Sequence, residues 1–310
     1  MSSPVVAVID IGSNSIKVLV ATRRSDGLLK SLKTLTIDAR ISAGISRAAP
    51  QLSAEGMARG LAAIRELLVV AAPFAPTHTV LVATSAVRDA LNGPEFQQRV
   101  QRDTGHAILI LSGDEEADLI GRGLTCDPAL AHWRDFYVFD LGGGSLECLA
   151  FRERRIEQAL SLRLGCVRMT EKFITDPQAP LTAVACTELA LHVRDTLKES
   201  GFRFNLPGAE AVFTGGTLTS VRVMTGALHG VGLEDTPAVV LASTLHALLD
   251  EVGGKTLAER RQIPGMPAAR ADVFPAALIT AVTLAEFGLF ERFHHSLYNL
   301  RWGLAARALA

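Results

Sequence analysis

The sequence predicts an α/β protein built from two similar halves. Apolar runs of strand length alternate with stretches of helical periodicity along the chain. An Asp-x-Gly-x-x-Ser motif occurs twice, beginning at Asp10 and at Asp140, each time between two apolar runs. At 310 residues, the chain is long enough for two domains. An internal duplication of a hairpin with an acidic, glycine-containing loop is the simplest interpretation, and two coincidental glycine turns are the alternative.

The first half is predicted to begin with three strands. Residues 5–9 and 16–21 flank a Gly/Asn/Ser turn as the arms of a hairpin, and residues 28–37 follow as a third strand. Ser53 is a good N-cap for the first helix, with Leu52 and Met57 placed to pack across its start. Buried strands are predicted at 80–83 and 108–111, and helices begin near Asn92 and at Ser112.

The second half repeats this pattern. Strands are predicted at 137–139, 146–151, 156–162 and 211–213, and helices near 182–200, 217–225, 238–252, 273–287 and 296–309. Because no low-complexity linker separates the halves, we expect them to share an interface and a cleft.

Composition excludes several classes of protein. The 31 basic and 32 acidic residues give a net charge of −1, so nucleic acid and anionic membranes are poor default partners. Aromatic residues make up 5%, too few for a base-stacking platform. The four cysteines show no CxxC spacing, which indicates neither a zinc knuckle nor a redox pair. The chain starts without signal-peptide features, and prolines interrupt its one long charge-free stretch, 67–87, so we expect a cytoplasmic protein without a membrane segment.

Three glycine turns are candidate phosphate-binding loops. An aspartate that ends a strand can hold a hard cation, and the glycines after it let backbone N–H groups approach phosphate oxygens. The first loop has Asp10, Gly12, Ser13, Asn14 and Ser15, and the second has Asp140, Gly142, Gly143, Gly144 and Ser145. A third turn, Gly215, Gly216 and Thr217, opens a helix whose N-terminus suits an anion. Hairpin turns that need no ligand, and an ordinary helix start with Thr217 as N-cap, are the alternatives.

Glu116 and Arg88 are the candidate catalytic residues. Ser112 and Glu115 match a capping box, so Glu115 has a structural explanation, whereas Glu116 is not needed for the cap. Glu116 could therefore accept a proton from a water attacking phosphorus, with a solvated surface position as the alternative. Arg88 follows a buried strand, where its planar fork suits phosphate oxygens, and a surface salt bridge is the alternative. His294 and His295 are predicted to be a solvated pair.

Taken together, the segments resemble the exopolyphosphatase/guanosine pentaphosphatase (Ppx/GppA) family. The matching segments cover nearly the whole chain in family order: Val8-Ile-Asp10-Ile-Gly-Ser-Asn-Ser15, Thr84-Ser-Ala-Val-Arg88, Ser112-Gly-Asp-Glu-Glu-Ala117, Phe139-Asp-Leu-Gly-Gly-Gly-Ser145-Leu-Glu147, Leu164-Gly-Cys-Val-Arg168, Thr214-Gly-Gly-Thr217 and Pro264-Gly-Met-Pro-Ala-Ala-Arg270. Each motif alone is weak, but five or more in order are highly specific.

The resemblance implies two actin-like (ribonuclease H-like) α/β domains with an interdomain active-site cleft. The expected domains are 1–118 plus 291–310, and 119–290. The resemblance makes Glu116 the catalytic base and Arg88 a substrate contact. It places Asp10, Asp140 and Glu147 near a Mg²⁺ ion, with Mn²⁺ or an additional monovalent cation as open alternatives. Arg270 and Arg301 are further candidate substrate contacts.

The implied activity is release of terminal phosphate from inorganic polyphosphate or from guanosine pentaphosphate (pppGpp), which would connect the protein to the stringent response. An ATP-dependent kinase and a non-hydrolysing polyphosphate or alarmone sensor are the rival functions, and a homodimer is an open possibility.

Three residues depart from the family pattern and put substrate choice in doubt: Ala277, Asn299 and Trp302. Arg23, Arg24, Lys30 and Lys33 offer only a short basic track, which predicts distributive cleavage of long chains.

Overall fold

The structure of the protein is a computed structural model that describes residues 3–310. Two compact units divide the chain. Unit 1 contains the residues up to His132 together with Tyr298–Ala310, and unit 2 is Trp133–Leu297. Each unit has its own β-sheet. The predicted α/β class with two domains is confirmed.

Unit 1 is built on a five-stranded sheet of order β3-β2-β1-β4-β5. The first three strands form an antiparallel meander, and β4 and β5 continue the sheet in parallel with β1. The strands are β1 (Val5–Ile11), β2 (Ile16–Arg23), β3 (Leu29–Ile37), β4 (His78–Ala83) and β5 (Ile108–Ile110). All five predicted strands of this half are therefore present.

The helices of unit 1 are α1 (Ala54–Ala71), α2 (Ser85–Arg88), α3 (Gly93–Thr104), α4 (Gly113–Thr125) and, from the C-terminus, α11 (Leu300–Ala308). Three of them, α1, α3 and α4, begin where the sequence predicts them, whereas α2 was not predicted. Ser53 caps α1 by accepting a hydrogen bond from Gly56 N, and Ser112 and Glu115 form the predicted capping box of α4.

Unit 2 repeats the topology of unit 1 and adds one strand. Its order is β10-β11-β9-β6-β7-β8, so that the segment β8-β7-β6-β9-β11 matches β3-β2-β1-β4-β5 in order and strand direction. The strands are β6 (Phe136–Leu141), β7 (Leu146–Arg152), β8 (Arg155–Leu162), β9 (Glu210–Thr214), β10 (Val239–Leu241) and β11 (Arg292–His295). This agreement supports the internal duplication.

Six helices cover the sheet of unit 2 within the described chain. They are α5 (Cys166–Phe173), α6 (Ala183–Glu199), α7 (Gly216–Leu228), α8 (Ala242–Gly253), α9 (Leu257–Arg260) and α10 (Phe274–Gly288). Helix α10 is buried along nearly its whole length and packs with phenylalanines of the sheet, such as Phe139 and Phe213, in the core of the unit. Burial of these large apolar side chains is the main source of the unit's stability.

The unit boundaries differ from the expected domain boundaries at both places. Residues 119–132 belong to unit 1, in which α4 is continuous to Thr125 and packs closely on α11. A side-chain carbon on Gly123 would lie 2.0 Å from the carbonyl oxygen of Asn299. Residues 291–297 belong to unit 2, since β11 lies between β9 and β10 in its sheet.

Two sequence-based element predictions in the second half are wrong in part. Residues 239–241 form β10 rather than the start of a helix, and α11 begins at Leu300 rather than at residue 296. No helix within residues 3–310 is long and apolar enough to cross a membrane.

Candidate active site

The candidate residues of unit 1 meet at one edge of its sheet. Strands β1, β4 and β5 are parallel neighbours, so their carboxyl ends lie side by side. The first glycine loop follows β1, Arg88 lies in α2 after β4, and Glu116 lies in α4 after β5. This edge is where ligands bind in α/β folds.

Glu116 is a buried carboxylate held by Arg88. Only 6% of the residue is exposed. Arg88 Nη1 donates a hydrogen bond to Glu116 Oε2 at 2.8 Å and another to the Leu111 carbonyl at 3.0 Å. The solvated-surface alternative for Glu116 is therefore wrong. Arg88 does form ion pairs, with this buried carboxylate and, through Nε at 3.6 Å, with the partly buried Asp89.

Glu115 serves the helix cap instead. It accepts a hydrogen bond from the backbone N–H of Ser112 at 2.8 Å, and Ser112 Oγ accepts one from Glu115 N. These bonds lower the pKa of the Glu115 carboxyl below its ordinary value. Adjacent glutamates thus have separate roles, as the capping pattern predicts.

The first glycine loop is held in place by the segment after β3. Ser42 donates to the Ser13 carbonyl through both its backbone N–H and its hydroxyl, and Arg40 N donates to the Asn14 carbonyl at 2.9 Å. Because the peptides are trans, the N–H groups of Asn14 and Ser15 point to the opposite side, as an anion-binding loop requires. The buried amide of Asn14 has no hydrogen-bond partner within the described residues.

Asp10 lies among cationic groups. Arg301 Nη1, at the start of α11, is 3.3 Å from Asp10 Oδ2. Lys17 is the cross-strand partner of Asp10 on β2, so both side chains extend from the same face of the sheet. The Asn299 side chain caps α11 by accepting a hydrogen bond from Arg301 N. The ring of Trp302 packs against that of Tyr298 in a tilted arrangement, with 4.2 Å between the ring centroids. The two departures from the family pattern at 299 and 302 thus have structural roles beside Arg301.

The second loop in unit 2 carries two carboxylates on one face. Asp140 on β6 and Glu147 on β7 are direct cross-strand partners, and Ser161 Oγ donates to Glu147 Oε1 at 2.7 Å. Gly142 N donates to the Ser145 carbonyl at 3.0 Å, which matches the bond from Gly12 to Ser15 in the first loop. The duplicated loops therefore share a backbone conformation but not the side chain opposite the aspartate.

The third turn positions an arginine at the N-terminus of α7. Gly215 has φ 93°, and a side-chain carbon there would lie 2.4 Å from Asp140 Oδ1. One on Gly216 would lie 2.4 Å from Arg270 Nη1. Gly215 is required by its positive φ, and the absence of a side chain at Gly216 leaves room for the Arg270 guanidinium. Thr217 is not the N-cap, which is Gly215; its hydroxyl is fully buried and has no hydrogen-bond partner within the described residues. The third departure, Ala277, is buried in α10.

A buried histidine braces this turn, and the sequence did not reveal it. His295 is 7% exposed, which contradicts the predicted solvated pair. Its Nε2 lies 3.1 Å from Thr219 Oγ1, and its Nδ1 lies 3.0 Å from Arg222 Nη1. Burial, together with the Arg222 charge, lowers the pKa of His295 to about 3, so it is a neutral brace at ordinary pH.

The carboxylates of unit 2 fit a magnesium ion. Within residues 3–310 there is no group of three or more His, Cys, Asp or Glu side chains arranged to hold a metal. Mg²⁺, however, is often bound by one or two carboxylates together with substrate phosphates. Asp140 and Glu147 offer such a pair on one sheet face, whereas Asp10 contacts Arg301.

The short basic track expected near the first loop is smaller than the sequence indicates. Arg23 donates to the carbonyls of Ala306 and Leu309 at the end of α11, and also to Gly27. Arg24 pairs with Asp26. Of the four residues, Lys30 and Lys33 remain as exposed cations on β3.

Buried acid, arginine and glycine loops at a sheet edge define a protein that handles phosphate groups. The sequence profile of the Ppx/GppA phosphatase family matches residues 7–310, and the chain belongs to that family.

Solved structures share the fold. An exopolyphosphatase from Cytophaga hutchinsonii has 22% sequence identity and a TM-score of 0.89, with 98% of this chain and 97% of that chain covered. The Aquifex aeolicus PPX-GPPA enzyme has 22% identity and a TM-score of 0.80, with 99% and 100% covered. An exopolyphosphatase-like protein has 24% identity and a TM-score of 0.90 over 100% of both chains.

Proposed function

We propose that this phosphatase is a Mg²⁺-dependent hydrolase that releases the terminal phosphate of inorganic polyphosphate or of guanosine pentaphosphate. The observation that carries the proposal is the buried Glu116 held by Arg88 at 2.8 Å, in the same unit as a preorganised anion loop. A carboxylate and a cation at this distance provide a base and a phosphate ligand side by side. Family membership supports a phosphorylated substrate.

In the proposed reaction, Glu116 orients a water molecule and accepts its proton. The water oxygen forms a bond to the terminal phosphorus as the bond from that phosphorus to the bridging oxygen breaks. The shortened chain leaves with the electron pair of the broken bond. The hydrogen bond from Arg88 to Glu116 Oε2 fixes the orientation of the carboxylate before substrate binds.

Charge on the transferred phosphoryl group is stabilised by groups fixed before substrate arrives. In unit 1 the first loop would offer its backbone N–H groups to phosphate oxygens. In unit 2 the second loop, together with Thr217 and Arg270 at the N-terminus of α7, would offer donors of the same kind. Preorganised donors of this kind supply most of the catalysis in phosphoryl transfer.

Asp140 and Glu147 would hold the magnesium ion. Bound there, the ion would neutralise charge on the substrate phosphates. Mn²⁺ favours similar oxygen ligands and should substitute for it. Ser161 keeps Glu147 in position through its 2.7 Å hydrogen bond.

A phosphate-release assay tests the proposal. The purified chain is incubated with polyphosphate, guanosine pentaphosphate or ATP, each with Mg²⁺ or with a chelator. We expect Mg²⁺-dependent release from one or both of the first two substrates. Release from none of the three would refute the proposal. ATP turnover that requires an added sugar or acid would favour the kinase, and intact ligand recovered by mass spectrometry after long incubation would favour the sensor.

A further inference from the structure

A buried arginine lies behind the second loop and has no part in the proposed mechanism. Arg168, in the first turn of α5, is only 8% exposed. Its Nε donates a hydrogen bond to the Gly144 carbonyl at 3.0 Å. Burying a guanidinium is costly unless its donors are used, so this contact with the loop requires an explanation.

The start of α5 binds the remaining carbonyls of the same loop. Cys166 N donates to the Gly142 carbonyl at 3.0 Å, and Val167 N and Arg168 N donate to the Gly143 carbonyl at 2.8 and 3.2 Å. The first amides of a helix have no partner inside the helix. Here they hold three successive loop peptides together with the arginine side chain.

These bonds fix the direction of the loop amides. In a trans peptide the N–H points opposite to the carbonyl, so the amides of Gly143, Gly144 and Ser145 are directed away from α5. None of the three donates a hydrogen bond within the described part of the chain. A side-chain carbon on Gly165 would lie 2.3 Å from backbone atoms of Gly144 and Ser145, so α5 packs directly on the loop.

We propose that Arg168 is a positioning residue for phosphate binding. Its bond to the Gly144 carbonyl fixes and polarises the Gly144–Ser145 peptide, which strengthens the Ser145 N–H as a donor to an anion. Charge-assisted bonds are stronger than neutral ones, and a polarised peptide passes part of this effect to its own N–H. The inference rests on the proposed function, which assigns this loop to substrate phosphate.

The test compares Arg168 with another buried arginine of unit 2. Arg260 is 1% exposed, and its guanidinium donates to three backbone carbonyls, those of Val252, Pro177 and Ala179. Affinity for tripolyphosphate is measured by calorimetry in the presence of a chelator, for wild type, Arg168→Ala, Arg168→Lys and Arg260→Ala. The Ser145 amide resonance is recorded by NMR for each ligand-free protein.

Removal of the Arg168 guanidinium is expected to weaken tripolyphosphate binding at least ~10-fold, the usual scale for a charge-assisted hydrogen bond. Arg168→Lys should lie between Ala and wild type, and guanidinium ion should partly restore binding to Arg168→Ala. Arg260→Ala should bind within about twofold of wild type, since its contacts are remote from the loop. The Ser145 resonance should move in both Arg168 variants but not in Arg260→Ala.

Unchanged binding by Arg168→Ala would overturn the inference, as would an equal loss in Arg260→Ala. If Arg168→Ala does not fold, unchanged tripolyphosphate binding by Arg168→Lys would overturn the inference. If wild type neither binds tripolyphosphate nor releases phosphate, the proposed function fails, and the NMR result decides only whether Arg168 fixes and polarises the Gly144–Ser145 peptide. An unmoved Ser145 resonance would then overturn that role, and a shift confined to the Arg168 variants would support it.

Discussion

The neutral His295 predicts a specific loss of stability in mild acid. The imidazole has an ordinary pKa of 6.5, and burial beside Arg222 lowers it to about 3 in the folded protein. Between these two values the unfolded chain binds a proton that the folded chain does not. The contribution of the neutral His295 side chain to the free energy of unfolding is therefore complete above pH 6.5 and decreases as the pH falls towards 3. Between pH 7 and pH 5 the difference amounts to about 2 kcal/mol.

The assay is urea unfolding followed by circular dichroism at pH 7 and pH 5, for wild type and His295→Gln. Carboxyl groups with a lowered pKa, such as that of Glu210, also stabilise the folded protein less in acid. This effect is the same in both proteins, because both contain these groups. The variant is expected to be less stable at pH 7, because Arg222 and Thr219 lose a partner. Its loss between pH 7 and pH 5 should nevertheless be smaller by about 2 kcal/mol.

A control variant separates this effect from the removal of any imidazole. His229, at the C-terminal end of α7, is exposed, and His229→Gln should follow the wild-type pH dependence. Parallel curves for wild type and His295→Gln would refute the reasoning. They would mean that His295 takes up a proton in the folded protein as readily as in the unfolded chain.

Four further predictions concern catalysis. Glu116→Gln should fold and bind substrate but lose at least ~10²-fold in turnover, whereas Glu115→Gln should retain most activity; the reverse result in a phosphate-release assay would exclude Glu116 as the base. Asp140→Asn should raise the Mg²⁺ concentration needed for half-maximal activity by at least ~10-fold, and an unchanged titration would exclude it as a ligand. Gly216→Ala should displace the Arg270 guanidinium and raise KM several-fold with little change in unfolding free energy, while Gly232→Ala, where the added carbon meets no atom within 4 Å, should resemble wild type. Equal KM values for these two variants would rule out a substrate role for that turn. Long polyphosphate should shorten gradually through intermediate lengths on a gel, because the basic surface beside the first loop is small; loss of full-length chains without intermediates would show processive cleavage.

The elements of unit 1 could be predicted from sequence because local signals decide them. Ser53 and Ser112 are good N-caps, and the capping box after Ser112 assigns Glu115 without reference to the rest of the fold. The same local argument left Glu116 undecided between a surface and a buried position. Its burial depends on α2 and Arg88, which are 28 residues away along the chain, and that contact has no local sequence signal.

The errors in unit 2 come from segments whose structure depends on distant partners. Strand β11 has the sequence Arg-Phe-His-His, with three polar residues of four, and its strand conformation depends on pairing with β9 and β10. The same pairing buries His295 against Arg222, so a histidine that was predicted to be solvated forms hydrogen bonds in the interior of the unit. Arg260 likewise has a charged side chain that is fully buried by bonds to carbonyls from separate segments.

The two copies of the Asp-Gly loop show that a shared motif does not predict which residue lies opposite its aspartate. Both hairpins place a residue directly opposite the aspartate, outside the shared Asp-x-Gly-x-x-Ser pattern. That residue is Lys17 in unit 1 and Glu147 in unit 2. The backbone conformation that suits an anion is common to both loops, because the glycine-to-serine turn bond fixes it. Under the proposed function, Asp140 and Glu147 together attract a cation, whereas Asp10 holds Arg301 beside Lys17 and so gathers positive charge from the protein itself. On this proposal the duplicated loops share a conformation that suits phosphate, and the residue at one cross-strand position distinguishes the copy that recruits a metal.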